Sequence, residues 1–160
     1  MNAPFVLFDE ELQKLSDICE ALRTSASAKA IFVVDKNGQL LMSNGETHDL
    51  DSTSLASLTA GNMAATDGLA QVLGESAGFG VQLHEGEREH IHISSVGDRL
   101  ILVVIFDERS SLGLVRLRVK QATEQIRHLM ESLPEDTANS QASLFDEISD
   151  EDIDQIFGKE

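Results

Sequence analysis

The stretch SLASLTAGNMAATDGLAQVLG, residues 54–74, decides how the rest of the chain is interpreted. Its composition and spacing predict a helix of about six turns. Its small residues recur every four positions and therefore share one helix face: Ala56, Ala60, Ala64 and Gly68. Gly61 widens this bare stripe, and a glycine inside a helix costs about 0.5–1 kcal/mol relative to alanine. We therefore expect another backbone to approach the stripe closely, from a second copy of the chain or from a partner protein.

The larger apolar side chains of the same segment form a second stripe. They are Leu55, Leu58, Leu69, Val72 and Leu73. We predict that this stripe packs on a core and that the small stripe is turned outward. A tightly packed internal helix that needs no partner is the alternative interpretation, and the spacing leaves it open.

Periodicity predicts seven further elements around this helix. They are a helix over 9–23, strands over 29–34, 39–43, 81–85, 89–95 and 99–106, and a helix from Ser110 or Ser111 to about 132. Asn37-Gly38 is a strong hairpin signal between the first two strands. The continuous apolar run LILVVIF, residues 100–106, predicts a central strand covered on both faces.

The order of these elements predicts an α/β fold, with a five-stranded antiparallel sheet between helices (α-β-β-α-β-β-β-α). The first and last helices would cover one face of the sheet and the middle helix the other. In the strand over 89–95, His90, His92 and Ser94 alternate with apolar residues, so we expect this strand to bury only one face.

Composition excludes several classes of function. The net charge of −16 argues against nucleic acid and anionic membranes as partners, because both are bound through clusters of Lys and Arg. The chain shows neither a signal peptide nor a run of about 18 apolar residues. Its single cysteine, Cys19, lies among leucines of the first helix and is predicted to be a core residue. We therefore expect a cytoplasmic protein.

The C-terminal part of the chain differs from the body over 1–133. Residues 134–147 are expected to form an acidic flexible linker, and residues 148–160 a C-terminal recognition helix. The apolar side chains of that tail helix are Ile148, Ile153, Ile156 and Phe157. Because a helix of this length is not stable alone in water, we expect it to become ordered when it binds a partner. An inert solvated tail is the alternative.

Three motifs suggest chemistry that their context does not support. Residues 74–78 read G-x-S-x-G, but a nucleophile elbow needs a strand before the serine and a helix after it. The aspartates over 150–154 resemble a calcium loop that lacks its glycine. His90 and His92 share one strand face and His84 on the neighbouring strand could approach them, but alternating histidines on a solvated face are usually surface residues, and no cysteine joins them. We predict neither a metal nor a cofactor, and no catalytic residue.

Three strings of the sequence resemble a known family. VDKNGQL (34–40), SLASLTAGNMAA (54–65) and LVVIFDERSSLGLVRLRV (102–119) are similar to bacterial Roadblock/LC7 proteins that act on Ras-like small GTPases. The resemblance covers residues 5–133 and extends to the tail helix. It implies a homodimer whose two sheets join into one, with the two middle helices side by side, and one dimer engaging one GTPase. It also implies cell polarity and gliding motility, a position at a cell pole, and further polarity proteins as partners.

The activity that the resemblance implies is GTPase activation by a protein that is not itself an enzyme. Arg109 would be the candidate for an inserted arginine finger. The family instead implies that the activator pushes the GTPase's own arginine and glutamine into place, with Ala60, Ala64 and Gly68 in contact with the GTPase. The tail helix would dock away from the nucleotide, to promote exchange or to hold the complex. A Roadblock adaptor that binds a GTPase or motor component without changing its turnover is the alternative.

Overall fold

A computed structural model of the protein describes residues 7–133. In chain order its elements are α1 (Asp9–Ala26), β1 (Ala30–Asp35), β2 (Leu40–Gly45), α2 (Ser52–Leu73), β3 (Val81–Glu85), β4 (His90–Val96), β5 (Leu100–Phe106) and α3 (Leu112–Glu131). Each predicted boundary lies within about three residues of the observed one. The predicted linker and tail helix lie outside the described residues.

The five strands form one antiparallel sheet in the order β2-β1-β5-β4-β3. This confirms the predicted fold class. β5 lies at the centre, and all its residues are buried, as its uninterrupted apolar sequence predicted. β2 and β3 are the two edge strands, so each has one row of backbone groups that the sheet does not pair.

Helices cover both faces of this sheet. Alternate residues of β5 point to opposite sides: Leu100, Leu102 and Val104 pack with residues of α1 and α3, whereas Ile101 and Val103 pack with α2. Cys19 is fully buried in the α1–α3 layer, and burial raises the pKa of its thiol to about 12. This cysteine is therefore the core residue that the sequence predicted.

Turn and cap residues fix where α2 begins and how it approaches the sheet. Asp51 caps the helix by accepting a hydrogen bond from the Ser54 backbone nitrogen at 3.1 Å. In the β1–β2 turn, Gly38 has φ +91°, and a Cβ there would lie 3.3 Å from the Ser57 Cα. A side chain at Gly38 would thus have a strained backbone and would press tightly against the helix. The Asn-Gly turn therefore lets α2 lie directly against the hairpin.

The expectation that β4 buries one face only is wrong. His92 is 1% exposed and Ser94 is also buried. His92 and Ser94 pair with Val104 and Leu102 of β5, which places them on the face covered by α1 and α3. Alternation of polar and apolar residues indicated a solvated face, but the tertiary structure places a helix layer there. Among the described residues, no helix is long and apolar enough to cross a membrane.

The two-sided burial of β5 should dominate stability. We expect Leu102→Ala to lower the free energy of unfolding by about 2–5 kcal/mol, because it removes buried methyl groups and leaves a cavity. Leu117→Ala on α3 is the matched control: its side chain is 53% exposed, so the change should stay within about 0.5 kcal/mol. Urea unfolding followed by circular dichroism measures both. Equal effects of the two substitutions would contradict this picture of the core.

Candidate protein-binding surface

The orientation of α2 differs from the one predicted from its sequence. Four residues of α2 are buried against the sheet, and none of them is a large branched apolar residue: Ala56, Thr59, Met63 and Ala70. Its large apolar residues are turned away from the sheet: Leu58 is 72%, Leu69 61%, Val72 83% and Leu73 71% exposed. The prediction that these four side chains pack on the core is therefore wrong, whereas Leu55 is partly buried at the edge of the core.

Short side chains on the sheet-facing side of α2 explain this orientation. Ala56 and Met63 pack in one cluster with Phe32, Ile101 and Val103 of the sheet. The large side chains beneath α2 are supplied by the strands, so the helix needs little volume on this face. Periodicity identified two stripes on the helix, but it could not show which stripe would pack against the sheet.

The predicted small stripe is divided by this orientation. Ala56 lies in the core, so its assignment to the outward interface is wrong. Ala60 is half-buried beside the β1–β2 turn. Gly61, Ala64 and Gly68 are exposed, as predicted. A Cβ at Gly61 or Gly68 would meet no atom within 4 Å, so neither glycine is required by packing within the described chain.

A continuous apolar stripe runs along the outward face of α2. Five of its members are spaced alternately by three and four residues, which is the spacing of a helix-to-helix seam, and Leu69 lies beside them. We call it the α2 outer stripe: Leu58, Gly61, Ala65, Gly68, Leu69 and Val72. Large side chains stand at its two ends and the smallest residues at its middle. This shape admits another helix closely at the centre and gives it apolar contacts at the ends.

The edge strand β3 is a second exposed feature, next to α2 in the chain. Phe79 and Val81 are exposed at its start, and Val81 pairs with Ser94, which places it on the sheet face opposite α2. The backbone groups on the outer side of β3 have no partner strand in the sheet. Exposed apolar residues next to an open edge are typical of a surface that another chain covers.

The three histidines considered for zinc do not come together. His84 pairs with Ile91 and lies on the α2 face, where its Nε2 is 3.1 Å from Asn62 Nδ2. His90 and His92 lie on the opposite face. Within residues 7–133, no group of three His, Cys, Asp or Glu side chains is placed to hold a metal ion.

A cluster of charged side chains lies at the end of the sheet where β2 and β5 finish and the chain continues toward α2 and α3. Arg109 donates to Glu46 through Nη1 and Nη2 at 3.1 and 3.2 Å, and to Asp107 through Nε and Nη2. Hydrogen bonds from Arg109 lower the pKa of both carboxyl groups. Beside them, Lys29 and Glu89 form an ion pair at 2.6 Å. The Arg109 guanidinium is thus occupied by two carboxylates.

The fold and this surface define a class of protein. The sequence model of the Roadblock/LC7 domain matches residues 14–106. Because that match spans more than half of the 160 residues, the chain belongs to the Roadblock/LC7 family.

Within that class, the chain is similar to solved structures of MglB. Myxococcus xanthus MglB is 50% identical, with a TM-score of 0.77 over 82% of this chain and 98% of that one. The gliding protein MglB of Thermus thermophilus is 29% identical, with a TM-score of 0.76 over 83% of this chain and 100% of that one. Another MglB structure, also 29% identical with a TM-score of 0.76, covers 82% of this chain and 98% of its own and is described as a tetrameric arrangement. A comparison with curated proteins found no match.

Sequence reasoning missed the large residues of the α2 outer stripe and the open β3 edge. The signal for the stripe was present in the alternating spacing of Leu58, Gly61 and Ala65, continued to Val72. The same spacing also fits a core face, and leucine and valine are usually buried. For the β3 edge no local signal exists, since the strand order depends on pairings between distant segments.

Burial of His92 predicts a pH dependence of stability. Its Nδ1 and Nε2 atoms are buried and have no hydrogen-bond partner in the described part of the chain, residues 7–133. Burial, and secondarily the charge of Arg116 on α3, lowers the pKa of this imidazole from 6.5. The unfolded chain therefore takes up a proton first as the pH falls. Stability that is fully present above pH 6.5 is lost as the pH falls through the lowered pKa.

Urea unfolding between about pH 7 and pH 5 measures this dependence. We expect His92→Leu to reduce its slope, because the variant has no buried imidazole. His48→Leu is the control, since the His48 side chain is 82% exposed. A slope that survives in His92→Leu would assign the pH dependence to other groups.

Proposed function

We propose that this protein is a GTPase-activating protein for a Ras-like small GTPase of the MglA type, and that it acts as a homodimer. Two chains would engage one GTPase. The observation that carries the proposal is the α2 outer stripe, a long apolar helix face left open in a chain that is 50% identical to Myxococcus xanthus MglB. The surface is suited to bind protein, and its residues provide no catalytic chemistry.

Homodimerisation is supported by the size and shape of the exposed surface. The α2 outer stripe is exposed along its length, and the open edge of β3, with Phe79 and Val81 exposed at its start, is a second uncovered feature. A second copy placed about a two-fold axis would cover both features with its own, because such an interface uses the same patch twice. Pairing along β3 would join the two sheets, and the two α2 helices would lie side by side.

The dimer would leave part of α2 available to the GTPase. Ala64 lies beside the α2 outer stripe rather than in it, and it forms one edge of α2 together with Gly68, four residues further along. Both are exposed and carry little or no side chain, so we assign this edge to the GTPase and the rest of the stripe to the second copy. They would let GTPase backbone come close to the helix. An activator of this kind needs only a surface that binds the hydrolysis-competent conformation more tightly than the others, because binding then shifts the population toward it.

The cellular setting follows from the proposed partner. We propose a cytoplasmic protein that works at a cell pole in polarity and gliding motility, together with further polarity proteins. The tail helix with Ile148, Ile153, Ile156 and Phe157 stays a prediction, since it lies outside the described residues. Its acidic character calls for a basic complement on the GTPase.

GTP turnover by an MglA-type GTPase, titrated with this protein, tests the proposal. We expect acceleration that saturates near two chains per GTPase. Ala64→Arg/Gly68→Arg should abolish it, because two long charged side chains would block close approach to the exposed part of α2. Gly113→Arg is the matched control: Gly113 lies in α3 and also has open space around its Cβ position.

Each other result has a definite meaning. Binding without acceleration would contradict the proposed activation. It would favour the alternative function, an adaptor that binds the GTPase without changing its turnover. Acceleration that persists in Ala64→Arg/Gly68→Arg would place the GTPase on another surface. Loss in both this variant and Gly113→Arg would attribute the effect to added charge in general.

The dimer is tested separately by sedimentation velocity. We expect wild-type protein at twice the chain mass of 17.4 kDa. Leu69→Glu/Val72→Glu should shift it to the single-chain mass, because two carboxylates would have to be buried in an apolar contact. Leu117→Glu, at a similarly exposed leucine on α3, should leave the dimer intact. A monomeric wild-type protein at micromolar concentration would contradict the proposed homodimer.

A further inference from the structure

The charged cluster at the end of the sheet joins the two segments that lead into α2 and α3. Glu46 follows β2 directly, and its backbone nitrogen donates to the Lys29 carbonyl oxygen at 3.0 Å. The chain then passes from Glu46 to Asp51, which caps α2. Asp107 and Arg109 follow β5, in the segment that leads to α3. The contact between Arg109 and Glu46 therefore spans 63 positions of sequence and links the segment before α2 to the segment before α3.

The geometry of this contact leaves Arg109 little freedom. Nη1 and Nη2 each donate to one oxygen of Glu46, while Nε and Nη2 donate to Asp107. The Arg109 backbone nitrogen also donates to Asp107 Oδ1 at 3.1 Å. Paired donation to a carboxylate orients both groups, which a single charge-to-charge contact does not do. An arginine that reached into another protein would have to give up both carboxylates.

We propose that Arg109 is a positioning residue for GTPase activation, which holds Glu46 and through it the segment that leads into α2. This rests on the proposed function, because α2 is the helix that would meet the GTPase. In this arrangement Arg109 does not touch the nucleotide. It increases the fraction of molecules in which the start of α2 is placed for binding, and the apparent affinity for the GTPase rises with that fraction.

The positioning role makes a prediction that an inserted arginine finger does not make. Glu46→Gln breaks the ion pair with Glu46 and leaves Arg109 paired with Asp107 alone, whereas Arg109→Ala removes the guanidinium. We expect both variants to raise the concentration that gives half-maximal stimulation of GTP turnover by about two- to fivefold, because the cluster is half exposed to solvent. The stimulated rate at saturation should stay unchanged, because in every bound complex the start of α2 is in its wild-type position.

Two further variants complete the test. Glu46→Arg/Arg109→Glu keeps one guanidinium and two carboxylates in the cluster, so it should restore most of the wild-type affinity. Arg127→Ala is the matched control, since it breaks an ion pair of similar exposure with Glu124 on α3. Hydrogen–deuterium exchange of residues 46–57 in the free protein provides a readout that needs no GTPase: it should be faster in Glu46→Gln and in Arg109→Ala than in Arg127→Ala.

Three results would overturn the inference. One is a loss of saturating rate of about 10³–10⁵ in Arg109→Ala with normal activity in Glu46→Gln, which is the pattern of an arginine finger. The second is wild-type titration curves for both variants. The third is unchanged exchange over residues 46–57. If the wild-type protein itself fails to stimulate turnover, the proposed function is wrong, and the exchange data alone still decide whether the cluster holds this segment.

Discussion

The contact between the sheet and the side of α2 that carries Ala56 and Met63 is the constraint on which the rest of the structure depends. Strand residues such as Phe32 and Val103 fill the volume beneath the helix, so α2 contributes Ala56 and Met63 rather than its leucines. Because a helix has only one face for the core, this choice sends Leu58, Leu69 and Val72 to the opposite side. The exposed α2 outer stripe is thus a direct consequence of how the core is packed.

The two faces of the sheet differ in what they leave for function. The α1–α3 layer buries long apolar side chains together with His92 and Ser94, whose side-chain polar atoms have no hydrogen-bond partner among residues 7–133. The α2 layer consists of one helix, whose outer side is apolar and exposed. At the end of the sheet, Arg109 and Glu46 connect the segments that lead into the two layers. Both faces of the sheet carry a buried core, only the α2 side leaves a long apolar helix face exposed, and the charged contact lies between the segments that lead into the two layers.

Much of the fold could be predicted from local signals. The Asn37-Gly38 turn and the apolar run of β5 were sufficient to predict a hairpin and a central strand, and Ser111 caps α3 through the Leu114 nitrogen at 3.3 Å. The site was predicted less well. Gly61, Ala64 and Gly68 are exposed as expected, but Ala56 is buried and the large apolar residues of α2 are exposed. For His92, the alternation of polar and apolar residues along the strand indicated a solvent-exposed face, but α3 covers that face.

The sequence by itself determined the type and order of the elements, because helix and strand periods, turn residues and caps are local properties. It also determined which residues of α2 share a face, since a helix places residues three and four apart together. Only the tertiary structure decided which face meets the sheet, which strands lie at the edges, and that Arg109 reaches Glu46. These outcomes depend on volume and pairing between segments far apart in the chain, and no local pattern contains that information.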